Sequence, residues 1–256
     1  MILTLVKDLK AAPTRIISLV PSQTELLHYL NLDDETVAIT KFCVHPKHWL
    51  STKQIVGGTK NVNLTKVRSL NPDLIIANKE ENVKEQVVEL AKDFNIWLTD
   101  VNDLTTALQM ITDIGSLTGT GDKAQTLVQN IKQEFLTIPA KKNALPVAYL
   151  IWQDPFITVG GDTYISDLLS LCGLKNIFAD KSRYPTIALS EIKELGCRLL
   201  LLSSEPYPFE QKHIAAIQAL LPATKIILAN GEFFSWYGSR LLQAPAYFNS
   251  LVAAIS

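Results

Sequence analysis

The sequence predicts an α/β protein of two doubly wound, mainly parallel lobes joined by a long bridging α-helix. Three observations predict it. Short aliphatic runs alternate with helical patterns along the chain, the arrangement that parallel strands covered on both faces require. One plan of strand, helix and strand recurs in the same order in both halves. Between the halves lies a segment whose apolar residues fall at helical spacing, so a helix and not a loose linker connects them. The reading divides the chain into an N-terminal lobe over 1–102, a bridging helical segment over 103–138 and a C-terminal lobe over 139–256.

The first lobe opens with RIISLV, a short β-rich run that feeds directly into PSQTELLHYL, where Ser22 and Glu25 have the spacing of a capping box. FITVGGDTYISDLLSLCGL does the same in the second lobe, and the helical parts align without gaps, TELLHYLNL at 24–32 against SDLLSLCGL at 166–174. VRSLNPDLIIA at 67–77 then parallels IKELGCRLLLL at 192–202, each a helix end, a turn and an aliphatic strand. NIWLTD at 95–100 parallels KIILAN at 225–230. In the bridge, Leu104, Leu108, Ile111, Ile114 and Leu117, then Leu127, Val128, Ile131 and Phe135, are helically spaced around a Gly-rich turn at 119–121. The proline-bearing KKNALPV at 141–147 marks entry into the second lobe.

Composition bounds the function. With 256 residues the chain can bury a core without disulfide or metal staples. Its 24 basic and 25 acidic side chains nearly cancel, which leaves no electrostatic footprint for nucleic acid or an anionic membrane. Three cysteines, at 43, 172 and 197, argue against a disulfide framework. The apolar run before Lys7 is too short for a signal peptide or a span, and nothing later reaches eighteen apolar residues, so the chain reads as not membrane-spanning. No G-x-S-x-G elbow, H-E-x-x-H or phosphate-binding glycine loop is present. Gly160 and Gly161 instead provide backbone conformations closed to other residues.

One segment concentrates metal-ligating residue types: KFCVHPKHWL, with Cys43, His45 and His48. Its C-x-H-x-x-H spacing falls short of the four ligands of a closed zinc site. From Thr24 to Val67 there are 43 positions, against 26 for the equivalent span Ser166 to Ile192, so the segment lies within extra length carried by the first lobe. It follows the strand TVAIT, and strand ends are where open α/β sheets collect ligands. Cys43 and His45 are therefore expected at the mouth of lobe one, while His48 and Trp49 read as the structural start of a helix after Pro46. In lobe two, YLIWQDPF ends a strand with Trp152 and Gln153, and EFFSWYGSR carries Phe233, Phe234, Trp236 and Tyr237. Aromatics at strand ends suit a flat macrocycle. Trp152 and Trp236 are expected to contact ligand and Phe233 to join the core, the competing reading being a packed seam between lobes. An enzymatic alternative, a thiol-dependent hydrolase using Cys43 with His45, lacks any nameable third group.

RIISLVPSQTELL, TKFCVHP, SLNPDLIIA, FITVGGDTYISDLLSLCGLKNIF and YPTIALSEI together resemble the recurrent motifs of the helical-backbone substrate-binding proteins of ABC importers, a group that carries cobalamin, iron siderophores and haem. The sequence is most similar to the cobalamin binders. The resemblance covers the chain from about Arg15 onward. It implies a non-enzymatic monomer without a required cofactor, which captures a metal chelate between its lobes and delivers it to an importer permease. Corrinoid is the first expectation; an iron siderophore or haem is the alternative. Candidate ligand contacts are Ser22, Gln23, Cys43, His45, Asn78, Trp152, Gln153, Tyr184, Trp236 and Tyr237, with His45 also able to offer an axial nitrogen to cobalt or iron. Permease docking uses an acidic residue on each lobe. Lobe one offers Glu80, Glu81 and Glu85; in lobe two Ser235 stands near the expected acid, and Glu232 is shifted from it. The resemblance places the protein in the periplasm or at the cell surface, its leader removed, with a cytoplasmic corrinoid-handling protein as the alternative.

Overall fold

A computed structural model describes residues 1–139 and 144–255. The chain forms two compact units. The first comprises 1–101, 105–132 and 237–242, the second 102–104, 133–236 and 243–256. No helix among the described residues is long and apolar enough to cross a membrane.

The first unit runs β1 (Ile2–Leu3), β2 (Ile16–Ser18), α1 (Pro21–Tyr29), β3 (Thr36–Ile39), α2 (Trp49–Thr52), β4 (Gln54–Ile55), α3 (Leu64–Leu70), β5 (Leu74–Asn78), α4 (Lys84–Leu90), β6 (Ile96–Thr99) and all but the first residue of α5 (Leu104–Thr118) and the last three of α6 (Gly121–Phe135). Its six strands lie in the order β1-β6-β5-β2-β3-β4, every pair parallel. Central β5 is buried at all five positions, which is why LIIAN shows no polar alternation. The helical segment after β6 is divided at Gly119, whose φ of 73° ends α5. A Cβ on Gly115 would stand 2.3 Å from the Ala124 Cβ, so the bare glycine permits the close crossing of α5 on α6.

The second unit runs β7 (Leu145–Trp152), β8 (Ile157–Thr158), α7 (Tyr164–Leu171), β9 (Leu174–Asn176), α8 (Leu189–Glu194), β10 (Leu199–Ser203), α9 (Gln211–Leu220), β11 (Lys225–Ala229), α10 (Glu232–Ser235) and α11 (Ala244–Ile255). Strands β11, β10 and β7 are parallel. The outer edge of β7 is shared by parallel β9 at its start and antiparallel β8 at its end. Of the expected entry KKNALPV, residues 141–143 lie outside the described residues, and Leu145, Pro146 and Val147 open β7.

The repeat survives in backbone detail. Asn31 and Gly173, aligned in TELLHYLNL and SDLLSLCGL, both have left-handed φ (63° and 70°) just past their helices. Asn71 and Gly196, aligned in the second pair of segments, do the same at 44° and 67°. Asn and Gly are the residues that take this conformation at least expense, so each closes a helix and turns the chain into the next strand.

Three expectations are corrected. Ser22 and Glu25 form no capping box: Val20 is the N-cap, Pro21 occupies the first helical turn, and Glu25 pairs elsewhere. The strand corresponding to β2 is β7, not FITV, which forms only the two-residue antiparallel β8. Gly160 and Gly161 do not have left-handed φ; a Cβ on either would lie 2.3 Å from Lys181 O or 2.1 Å from Ala179 O, so close backbone approach is what excludes side chains there.

Candidate ligand-binding site

Because the strands of the first sheet are all parallel, their carboxyl ends share one margin, and the segments after β2, β3, β5 and β6 gather there. Behind β3, Cys43 is fully buried. Its Sγ lies 3.0 Å from Thr24 Oγ1 and 3.2 Å from Thr40 Oγ1, and Thr24 Oγ1 stands 2.7 Å from Ser18 Oγ. Burial pushes the Cys43 thiol above its ordinary pKa. It is a small packed thiol, neither a ready nucleophile nor an open ligand. Its neighbours face the other way: Phe42 is 51% and Val44 38% exposed, with Lys41 Nζ over the Phe42 ring. His45 is half-buried in the same loop. His48 precedes α2 and meets His28 edge-on at 5.6 Å, while Trp49 is buried with its indole N–H on Asp33 Oδ1 at 3.2 Å.

Ser22 and Gln23 sit in the first turn of α1, both buried. Gln23 Nε2 donates to Thr99 Oγ1 at 2.6 Å, and Asn78 Nδ2 donates to the same oxygen at 3.1 Å and to Thr99 O at 3.2 Å. Asn78 Oδ1 accepts the backbone N–H groups of Glu80 and Glu81 at 2.8 and 3.2 Å. Asn78 thus organises the acidic turn after β5. Gln23 Oε1 is buried with no partner among the described residues, an orphaned acceptor of the kind that ordinarily costs about 1–3 kcal/mol. Of the acids, Glu81 is half-buried in this turn and Glu85 is exposed in the first turn of α4.

In the second unit, Trp152 closes β7 with 40% of its surface exposed and meets Tyr207, behind β10, at 5.6 Å. Gln153 follows, its Oε1 buried without a partner among the described residues. Trp236 is 6% exposed, and its indole N–H donates to Glu205 Oε1 at 2.9 Å; Ser235 Oγ donates to the same oxygen at 2.5 Å. Phe234, not Phe233, is the core residue: it is fully buried, whereas Phe233 is half-buried and stacks on Tyr247 at 4.6 Å. The Cα-to-side-chain phase of so short a helix decides this, and composition does not encode it. Glu232 is half-buried at the start of α10. Tyr184 is 38% exposed beside the Arg183 guanidinium. Tyr237 is buried and belongs to the first unit. Glu205 and Tyr207 escaped the sequence reading, although the aromatic- and proline-rich SEPYPF directly behind a strand was a signal for them.

Among the described residues no group of three or more His, Cys, Asp or Glu is arranged to hold a metal ion. A cavity of 770 Å³ in the second unit is lined by Asp103, Asp162, Asp167, Lys175 and Arg183 among others, and by none of the expected ligand contacts. Residues 16–225 match the family model described as periplasmic binding protein.

The chain belongs to this periplasmic binding protein family.

It is thus a substrate-binding protein of the ABC-importer kind. An uncharacterized ABC transporter substrate-binding lipoprotein of Bacillus subtilis, YvrC, is 31% identical over 199 residues, which is 73% of this chain and 63%, just under two thirds, of that protein. The vitamin B12-binding protein of Pectobacterium carotovorum is 25% identical over 96% of this chain and 91% of its own. Among solved structures, the periplasmic vitamin B12-binding protein BtuF of Vibrio cholerae superposes with a TM-score of 0.77 at 22% identity, covering 95% of this chain and 98% of that one. A periplasmic haem-binding protein of Pseudomonas aeruginosa gives 0.79 at 17% identity, with 95% and 92% covered. These last two likenesses show the fold.

Proposed function

We propose that this family member captures a corrinoid through the carboxyl-end loops of its sheets and delivers it to an ABC importer permease. The observation that carries the reading is the match, over nearly the full length of both chains, to a vitamin B12-binding protein. The geometry supports it: exposed aromatic and apolar surface at strand ends, Phe42 and Val44 in one unit and Trp152 in the other, suits a large ligand with apolar faces. His45 and Gln23 of the first unit, and Gln153, Tyr184 and Trp236 of the second, are proposed as further contacts. Ser22, Asn78 and Cys43 act from behind, shaping the loops. Glu81, Glu85 and Glu232 are proposed to meet the permease, which places the protein's work outside the cytoplasmic membrane.

A second reading, haem or another iron chelate, is favoured by His45, a half-buried imidazole in a loop with apolar neighbours and thus a candidate axial ligand. Calorimetric titration with cyanocobalamin, hemin and a ferric trihydroxamate separates the readings; stoichiometric heat with cyanocobalamin is expected, and silence with all three would reject the capture of a chelate. The thiol-hydrolase alternative has the buried Cys43 against it. Rapid, Cys43-dependent alkylation of the native protein at neutral pH would revive it.

A further inference from the structure

We infer that Tyr207, oriented by His213, reads a hydrogen-bond acceptor on the ligand beside the Trp152 ring. The inference rests on the proposed capture of a ligand at the strand ends of the second sheet and adds to it a residue and a recognition chemistry.

The loop after β10 is stitched to the end of β7, since Tyr207 N–H donates to Ile151 O at 3.3 Å, one residue before Trp152. Below it, the Tyr207 ring packs on Phe209 at 4.8 Å, and Phe209 is buried in the core of this unit. His213, in the first turn of α9, meets both rings at 5.5 Å. The tyrosine therefore has one position, set by strand, core and helix together.

The protonation pattern follows from one donor whose direction is not in question. The backbone N–H of Glu210 donates to His213 Nδ1 at 2.7 Å. An amide cannot accept there, so Nδ1 carries no proton and the imidazole proton is on Nε2. Nε2 lies 3.3 Å from Tyr207 Oη and donates to it. The phenol is thereby held as an acceptor toward the histidine, and its own O–H proton remains to be given away. No other protein partner of Oη is found among the described residues. A half-buried tyrosine with a proton to give, its ring edge-on at 5.6 Å to an indole that is 40% exposed, fits a ligand with an apolar ring and a carbonyl or carboxylate oxygen at its periphery. Peripheral amides of a corrin and propionates of a porphyrin both answer that description. The nearby charges, Glu210 and Lys212, are paired with each other at 2.8 Å.

The test uses the full chain and calorimetric titration with cyanocobalamin and with hemin, melting temperature being read alongside. Tyr207→Phe keeps the ring and its packing, and is expected to weaken binding about fivefold or more with an unchanged melting temperature. His213→Ala should weaken it to a similar degree, and the double variant should lose no more than either single one. A Tyr207→Phe protein that binds like the parent overturns the inference while leaving ligand capture intact. Additive losses in the double variant overturn the orienting role of His213. If the parent protein binds neither ligand, ligand capture itself fails and this inference fails with it.

Discussion

Trp236 donates its indole N–H to Glu205 across 2.9 Å, joining the segment after β11 to the segment after β10. The same carboxylate oxygen takes Ser235 Oγ, so one side chain anchors two consecutive residues of α10 and its C-cap. A half-buried carboxylate with two donors is a charge-assisted anchor. Glu205→Ala is expected to lower unfolding free energy by about 2 kcal/mol and to shift Trp236 emission to the red. Denaturant titration of Glu205→Ala in a background lacking Trp152 checks both. An unchanged midpoint and spectrum would mean that the loop stands without this carboxylate.

In the loop behind β3, the residues available to a ligand are Phe42, Val44 and His45, not Cys43. Phe42→Ala removes a ring that is 51% exposed, so stability should move by less than about 0.5 kcal/mol while corrinoid affinity falls tenfold or more. His45→Ala should cost about fivefold if the imidazole makes one peripheral hydrogen bond. Axial ligation would show itself additionally as a changed visible spectrum of bound aquo-corrinoid. Equal affinity in both variants would remove this loop from the site.

Burial pushes the Cys197 thiol from 9.0 up to about 11. Between those values the unfolded chain has released its proton and the folded one retains it, so the unfolded state binds fewer protons and stability falls as pH rises. The window opens near 9 and closes near 11, and two units correspond to a loss on the order of 2–3 kcal/mol. Cys197→Ala should be less stable than the parent at pH 7 and show a shallower decline above pH 9. Parallel stability curves for the two proteins would contradict the assignment.

Glu25 and Arg240 form a two-pronged pair at 2.7 and 3.1 Å with only 20% and 12% of their side chains exposed. Removing Arg240 takes a two-pronged partner from a carboxylate in a largely dry place, so Arg240→Leu is expected to lose about 3 kcal/mol. Glu25→Leu/Arg240→Leu should recover part of that loss, which a double-mutant cycle on denaturation midpoints measures. Strictly additive losses would mean that the pair is not coupled.

How far the sequence carried is clear from these residues. Asn31 and Gly173, Asn71 and Gly196 sit at matching places in a visible repeat, and the conformation each supplies is local, so the helix ends and the strands behind them could be read directly. The parallel sheets followed from aliphatic runs such as LIIAN and LLLLS. Strand β8 was illegible as a returning strand because two residues carry no period. In KFCVHP the place of the loop behind a strand was legible but the inward turn of Cys43 was not, since its partners Thr24 and Thr40 lie outside the segment. Glu25 looked like a cap because its partner stands 215 positions downstream.

That separation has a consequence for the order in which the protein can be finished. The segment 237–242 belongs to the first unit, although almost the whole of the second precedes it along the chain. During synthesis from the N-terminus, the first unit therefore waits, with Glu25 still lacking its Arg240 partner and the Leu26 side chain short of the wall that Gly238 lays against it, until residues 237–242 emerge. A chain cut before Gly238 ends with its earliest-made half still incomplete.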